Sequence, residues 1–96
     1  MSLDRRQLFL DNRAMETDSS TIYLERIDPS ANMARFYCLS VETDLLGDIV
    51  TIRRWGRIGT IGRQMITPGL SVAQALVEIE QRAAAKTRRG YRKPYS

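Results

Sequence analysis

From residue 21 onward, apolar and polar positions alternate with a two-residue period, and the spacing changes to that of a helix only near residue 71. Thr21 to Ile27 sets Ile22 and Leu24 on one side and Tyr23, Glu25 and Ile27 on the other, in a β-branched and aromatic stretch that predicts a strand. Asp28-Pro29-Ser30-Ala31-Asn32 then supplies turn chemistry, because proline fixes φ and Asp and Asn bond their own backbone. Met33 to Val41 predicts a second strand with Met33, Arg35, Tyr37, Leu39 and Val41 on one face and Ala34, Phe36, Cys38 and Ser40 on the other. Apolar residues on both faces make it a central strand. A loop through Thr43 to Gly47 leads to a third strand, Asp48 to Trp55, which ends abruptly in Arg53-Arg54-Trp55. After the glycine-punctuated stretch Gly56 to Gly62, Arg63 to Thr67 predicts a short fourth strand closed by Pro68-Gly69.

The helix is expected to begin at Ser71, where Ser71 and Gln74 suit a capping box. Val72, Ala75, Leu76, Ile79 and Ala83 form its apolar stripe, Gln74, Glu78, Gln81 and Arg82 fall on the other side, and Gly90 is the expected stop. One stripe means one face packed on the sheet, so the class is α+β. Residues 1–19 hold a single apolar run, Leu8-Phe9-Leu10, before a polar stretch, and read as an N-terminal extension that can add an edge strand.

A chain of 96 residues with 43% hydrophobic content fills one modest core, so one domain is expected. No window reaches the roughly 18 consecutive apolar residues of a membrane span, and Met1-Ser2-Leu3-Asp4-Arg5-Arg6 has no signal-peptide run. The expectation is a cytoplasmic protein with no membrane association. Cys38 is the single cysteine and there is no histidine, so no metal cluster and no cofactor is expected.

Charge changes the picture more. Residues 1 to 50 carry five Arg against nine Asp and Glu, a net of −4, while residues 51 to 96 carry eight Arg and two Lys against two Glu, a net of +8. A positive field confined to one half attracts polyanions and steers their approach.

Within that half, Arg53-Arg54-Trp55-Gly56-Arg57-Ile58-Gly59-Thr60-Ile61-Gly62-Arg63-Gln64 joins the only tryptophan to four arginines and three glycines. A Trp face can stack on a sugar or base, worth about 1–3 kcal/mol per base in single-strand binders. Arginine adds forked donors for phosphate oxygens, and glycine permits close backbone approach. The bland alternative is a core tryptophan, hairpin glycines and a solvated arginine face. Gly56, Gly59 and Gly62 are spaced G-x-x-G-x-x-G, which matches neither a dinucleotide nor a triphosphate loop, and a KH-type G-x-x-G would need flanking helices where strands are expected.

Arg54-Trp55-Gly56-Arg57-Ile58-Gly59 with Gly62, between a strand and a helix, resembles the WGR domain, a family found in DNA-dependent poly(ADP-ribose) polymerases and in small bacterial proteins. Tyr23-Leu24-Glu25-Arg26 through Asn32-Met33-Ala34-Arg35-Phe36-Tyr37 resembles the family's opening hairpin, and Lys86-Thr87 with Gly90-Tyr91 its helix end. The resemblance implies an antiparallel sheet of four to five strands with one C-terminal helix packed on it, over a domain spanning 20–96. In the polymerases the triplet's Trp packs against the sugar of an end nucleotide and its Arg couples DNA binding to neighbouring domains. Trp55 and Arg57 hold those positions, and Lys86 is similar to a basic DNA-contacting residue near the helix end. Nothing in the sequence reads as the polymerases' catalytic domain, helical regulatory region or zinc fingers, so no ADP-ribosyl transfer is expected.

A second basic cluster, Lys86, Arg88, Arg89, Arg92 and Lys93 with Tyr91 and Tyr95, suits either a dipole-complementing helix end or an extension of the positive stripe. The expected activity is non-enzymatic binding of a nucleic acid, foremost the sugar-phosphate backbone or ends of DNA, through Trp55, Arg57, Arg53, Arg54, Arg63, Lys86, Arg88 and Arg89. The alternative is a protein–protein interaction module docking through the acidic half or Leu8-Phe9-Leu10. No acid, base and nucleophile set marks an enzyme.

Overall fold

The alternating segments fold as four strands, β1 Thr21–Asp28, β2 Met33–Thr43, β3 Ile49–Arg57 and β4 Arg63–Pro68, followed by a helix, α1 Val72–Arg88. These come from a computed structural model that describes residues 20–94. The strand order is β1-β2-β3-β4 with every neighbouring pair antiparallel, so β2 and β3 are central. The expected edge strand at Leu8–Leu10 lies outside the described residues.

Each connection is closed by the local chemistry its residues offer. The Asp28 carboxylate accepts bonds from Ser30 N (3.2 Å) and Ser30 Oγ (2.7 Å) across a 3-10 turn, and Asn32 takes the left-handed conformation (φ 50°) that lets β2 turn back. Asp44 accepts from the amides of Leu46 and Asp48, both at 3.0 Å, to shape the β2–β3 turn. Ser71 Oγ caps α1 by accepting from Gln74 N at 3.1 Å. The reciprocal half of the expected capping box is displaced by one residue, since Gln74 Oε1 accepts from Leu70 N (3.1 Å) instead of the cap residue.

Several boundaries differ from the sequence reading, β2 running on to Thr43 instead of ending at Val41, and one of them bears on the site. β3 does not end at Trp55 but continues through Gly56 and Arg57, paired with Phe36 and Arg35 of β2. The Trp-Gly-Arg triplet is therefore part of the ladder and inherits its alternation of faces.

On the α1 side of the sheet, Leu24, Tyr37, Leu39, Val41, Ala75, Ile79 and Tyr91 form the core, with Ile22, Ile49, Trp55, Leu76 and Ala83 packed against it. Leu39 and Ile79 are fully buried, and truncating either costs about 2–5 kcal/mol. Val72, expected in the stripe, is exposed, and the buried stripe starts at Ala75. The helix stops at Gly90 (φ 99°), with Gly90 N bonded to Thr87 O and Tyr91 N to Lys86 O, the paired bonds of a Schellman ending. That reversal sends Tyr91 edge-on to Tyr37 at 6.3 Å and lets Arg92 exchange two 2.8 Å backbone bonds with Glu25 of β1. Among the described residues no helix is long and apolar enough to cross a membrane.

Candidate nucleic-acid interface

Strand alternation decides which of the clustered arginines meet. Trp55 lies between Tyr37 of β2 and Arg63 of β4, and Arg53 between Leu39 and Met65. Since Tyr37 and Leu39 face α1, so do Arg53, Trp55 and Arg57, while Val50, Ile52 and Arg54 face away.

Two glycines set the position of Trp55. A Cβ on Gly62, whose φ is 76°, would collide with the Trp55 carbonyl and the Phe36 ring, and one on Gly56 would come within 2.9 Å of Gly62 Cα. The chain can fold back against the end of β3 only with both positions bare. Ile58 N bonds Ala34 O (2.9 Å) and Thr60 Oγ bonds Arg57 O (2.7 Å), which fixes the rest of the turn.

The last two turns of α1 supply the opposite wall. Tyr37, Arg53, Trp55, Arg82, Ala85, Lys86 and Arg89 line an open groove of about 310 Å³. The Arg53 guanidinium carbon is 5.9 Å from the Trp55 ring centroid, and its terminal nitrogen donates to Met65 Sδ. Lys86 Nζ sits 4.6 Å from the Tyr37 ring and 5.4 Å from the Tyr91 ring. Burial, and then the positive charges of Arg89, Arg35 and Arg53, lower the Lys86 pKa from its ordinary 10.5. The two aromatic faces favour the ammonium. Arg82 is paired with Glu78 at 3.1 Å, whereas among the described residues no carboxylate pairs with Arg53, Lys86 or Arg89. A site whose cations repel one another while a flat indole stands open beside them is complementary to an anion attached to a ring or sugar.

The structure thus brings together Arg53, Trp55, Lys86 and Arg89. Arg57 and Arg63 are exposed on the same sheet face but outside the groove's lining. Arg88 is exposed at the end of α1 and does not line the groove. Arg54 is on the other face of the sheet, with its guanidinium 5.3 Å from the Phe36 ring. Sequence reasoning missed Tyr37, Arg82 and Ala85 as lining residues. The spacing of Arg82, Lys86 and Arg89 at i, i+4 and i+7 was the available signal.

The model of the WGR domain family matches residues 20–96. An uncharacterized protein of Sinorhizobium fredii, y4dW, is 40% identical over 92 residues, covering 96% of this chain and 45% of the relative. The chain therefore spans less than half the length of that curated relative. No solved structure matches it.

Proposed function

The chain belongs to the WGR domain family, and from that premise and the groove we propose that it is a non-enzymatic module that binds the sugar-phosphate backbone of a nucleic acid, with DNA and DNA ends as its target. The observation that carries this reading is the groove between β3 and α1, where the half-buried Trp55 meets Arg53, Lys86 and Arg89 with no pairing carboxylate among the described residues. Phosphate oxygens relieve the mutual repulsion of those cations, and a terminal sugar or base fits against the indole. Arg57 and Arg63 extend the positive surface along the same sheet face, so a strand leaving the groove stays in contact with cations. Groups that read base edges are few, and sequence preference is expected to be weak. Arg54 has no part in this surface.

The test is an anisotropy titration of labelled duplexes with free 5′-phosphorylated ends, competed by closed circular DNA, at several salt concentrations, with the native chain and Trp55→Ala. End-preferring, salt-sensitive binding that the substitution weakens supports the proposal. Absence of binding at low salt rejects it. Trp55 is the sole tryptophan, so quenching of its emission on binding reports independently on the groove.

A further inference from the structure

At the end of β3 remote from Trp55, the chain exposes leucines that the fold does not call for. Leu45 and Leu46, in the β2–β3 turn, are 66% and 79% exposed, and Leu70, between β4 and α1, is 92% exposed. The turn is shaped by the Asp44 carboxylate, and Leu70 contributes its amide, which donates to Gln74 Oε1. Polar residues would close both connections as well. The two connections are neighbours, because Val50 pairs with Pro68 and Gly69 N donates to Ile49 O at 2.9 Å. Between them lies a cleft of about 460 Å³ whose walls include Asp48, Ile49, Val50, Ile66, Pro68 and Leu70. Val72, two residues beyond Leu70, is a further exposed apolar side chain.

We propose that this cleft docks a partner protein, through an extended peptide segment that presents an apolar side chain flanked by lysine or arginine. Single exposed apolar residues are ordinary on a protein surface, but several leucines on the two connections that border one concavity suit the seating of an apolar anchor. Charge selects the flanks. Segments 36–52 and 64–81, which include this end, hold five Asp and Glu with no Lys or Arg, and the exposed Asp48 stands on the cleft wall. The groove cations Lys86 and Arg89 lie roughly 20 Å away along α1, at its other end. They repel a cationic segment from the groove, and the acidic end draws it to the cleft. Burial of Leu46 and Leu70 supplies most of the affinity, while the exposed ion pair to Asp48 orients the segment more than it holds it. Because cleft and groove are at opposite ends of α1, both can be filled at once, and the chain then joins a cationic protein to whatever anion occupies the groove. The docking is independent of what the groove binds.

A phage-displayed library of short random peptides, selected on the full chain, tests this. Enrichment of peptides that carry an apolar residue between cations is expected. The enriched peptide, labelled and titrated by fluorescence anisotropy, should bind Leu46→Asp with Leu70→Asp at least about tenfold more weakly than the native chain. Asp48→Lys should weaken it by about threefold, and Trp55→Ala should leave it within about twofold. Leu46, Asp48 and Leu70 are exposed, so these variants are expected to melt like the native chain. Failure to enrich any peptide, enrichment of acidic flanks, or undiminished binding by the double variant overturns the proposal. A loss in Trp55→Ala matching that of the double variant also overturns it, since the peptide then lies in the groove. A native dimer that the double substitution converts to a monomer in sedimentation does the same, because the occupant is then a second copy of the chain.

Discussion

Arg53 and Arg54 are neighbours in sequence and share a chemistry, yet they serve opposite sides of the molecule. Each guanidinium lies near an aromatic ring, Arg53 at 5.9 Å from Trp55 and Arg54 at 5.3 Å from Phe36. On the α1 side the ring stands beside a groove where cations gather, and burial first and then those charges depress the Lys86 pKa. On the far side the ring is stacked on Tyr23, whose hydroxyl donates to Glu25 at 2.8 Å, so positive and negative groups are interleaved. One face concentrates a single sign of charge and is open to a ligand. The other mixes signs. Strand register, and not residue type, assigns each arginine its task.

The largest effect is expected where the two faces share one support. Gly62 touches both the Trp55 backbone and the Phe36 ring, and its φ of 76° suits glycine. Gly62→Ala combines left-handed strain with overpacking, and should cost about 3 kcal/mol, roughly 15 °C in the melting temperature of a domain this size. Gly59→Ala, with a φ of 95° but open space around its Cβ, should cost about 1 kcal/mol. Equal losses in thermal melts of the two variants would show that the close approach at Gly62 does not hold the end of β3.

Next in size is a direct contrast of the faces. Trp55→Ala should weaken binding of 5′-phosphorylated DNA roughly tenfold to a hundredfold, the worth of one stacked base or sugar. Arg54→Ala should leave the affinity within about twofold, because a change on the far face removes no groove cation. A matching loss in Arg54→Ala would break the assignment of function to one face. The double substitution Lys86→Ala with Arg89→Ala should make the slope of log affinity against log salt shallower by about 1.8 on duplex DNA, if each releases one counterion. The Lys86 ammonium also loses its proton at lower pH in the folded chain than when unfolded, so its effect on stability improves as pH rises toward 10.5, while phosphate binding declines over the same window.

Much of this fold is legible in the sequence, because strand alternation, the Asp28–Asn32 turn, the Ser71 cap and the Gly90 stop are local signals, and each element they predict is present. The end of β3 is less legible. Glycine at 56 reads as a turn, but pairing with Phe36 carries the strand two residues further, a non-local effect. The candidate site divides the same way. Trp55 and the basic excess are visible in the chain, whereas the separation of Arg54 from Arg53 needs the register in hand. Tyr37 enters the groove because the register sets it beside Trp55 and the last turns of α1 place Lys86 over its ring. Arg82 reads as solvent-facing because it falls on the side away from the apolar stripe, and only the placement of α1 over β3 makes it a wall.

The smallest effect concerns the far face. Burial first, then the bond to Glu25 and its negative charge, push the Tyr23 pKa up from 10.0 to about 12, although Arg54 pulls in the other direction. Because the folded value exceeds the unfolded one, the folded chain holds the phenolic proton where the unfolded chain has released it. Tyr23 therefore contributes stability that is complete below pH 10.0 and is lost as pH climbs to about 12, the reverse of the Lys86 trend on the groove side. Tyr23→Phe keeps the ring on Phe36 and removes the bond, and should cost about 1 kcal/mol at neutral pH for a partly exposed group. Urea unfolding of both proteins across the alkaline range should show that difference shrinking toward zero as pH approaches 12. A gap that stays constant with pH would mean that the Tyr23 hydroxyl is not held by Glu25, and that the far face relies on its apolar contacts alone.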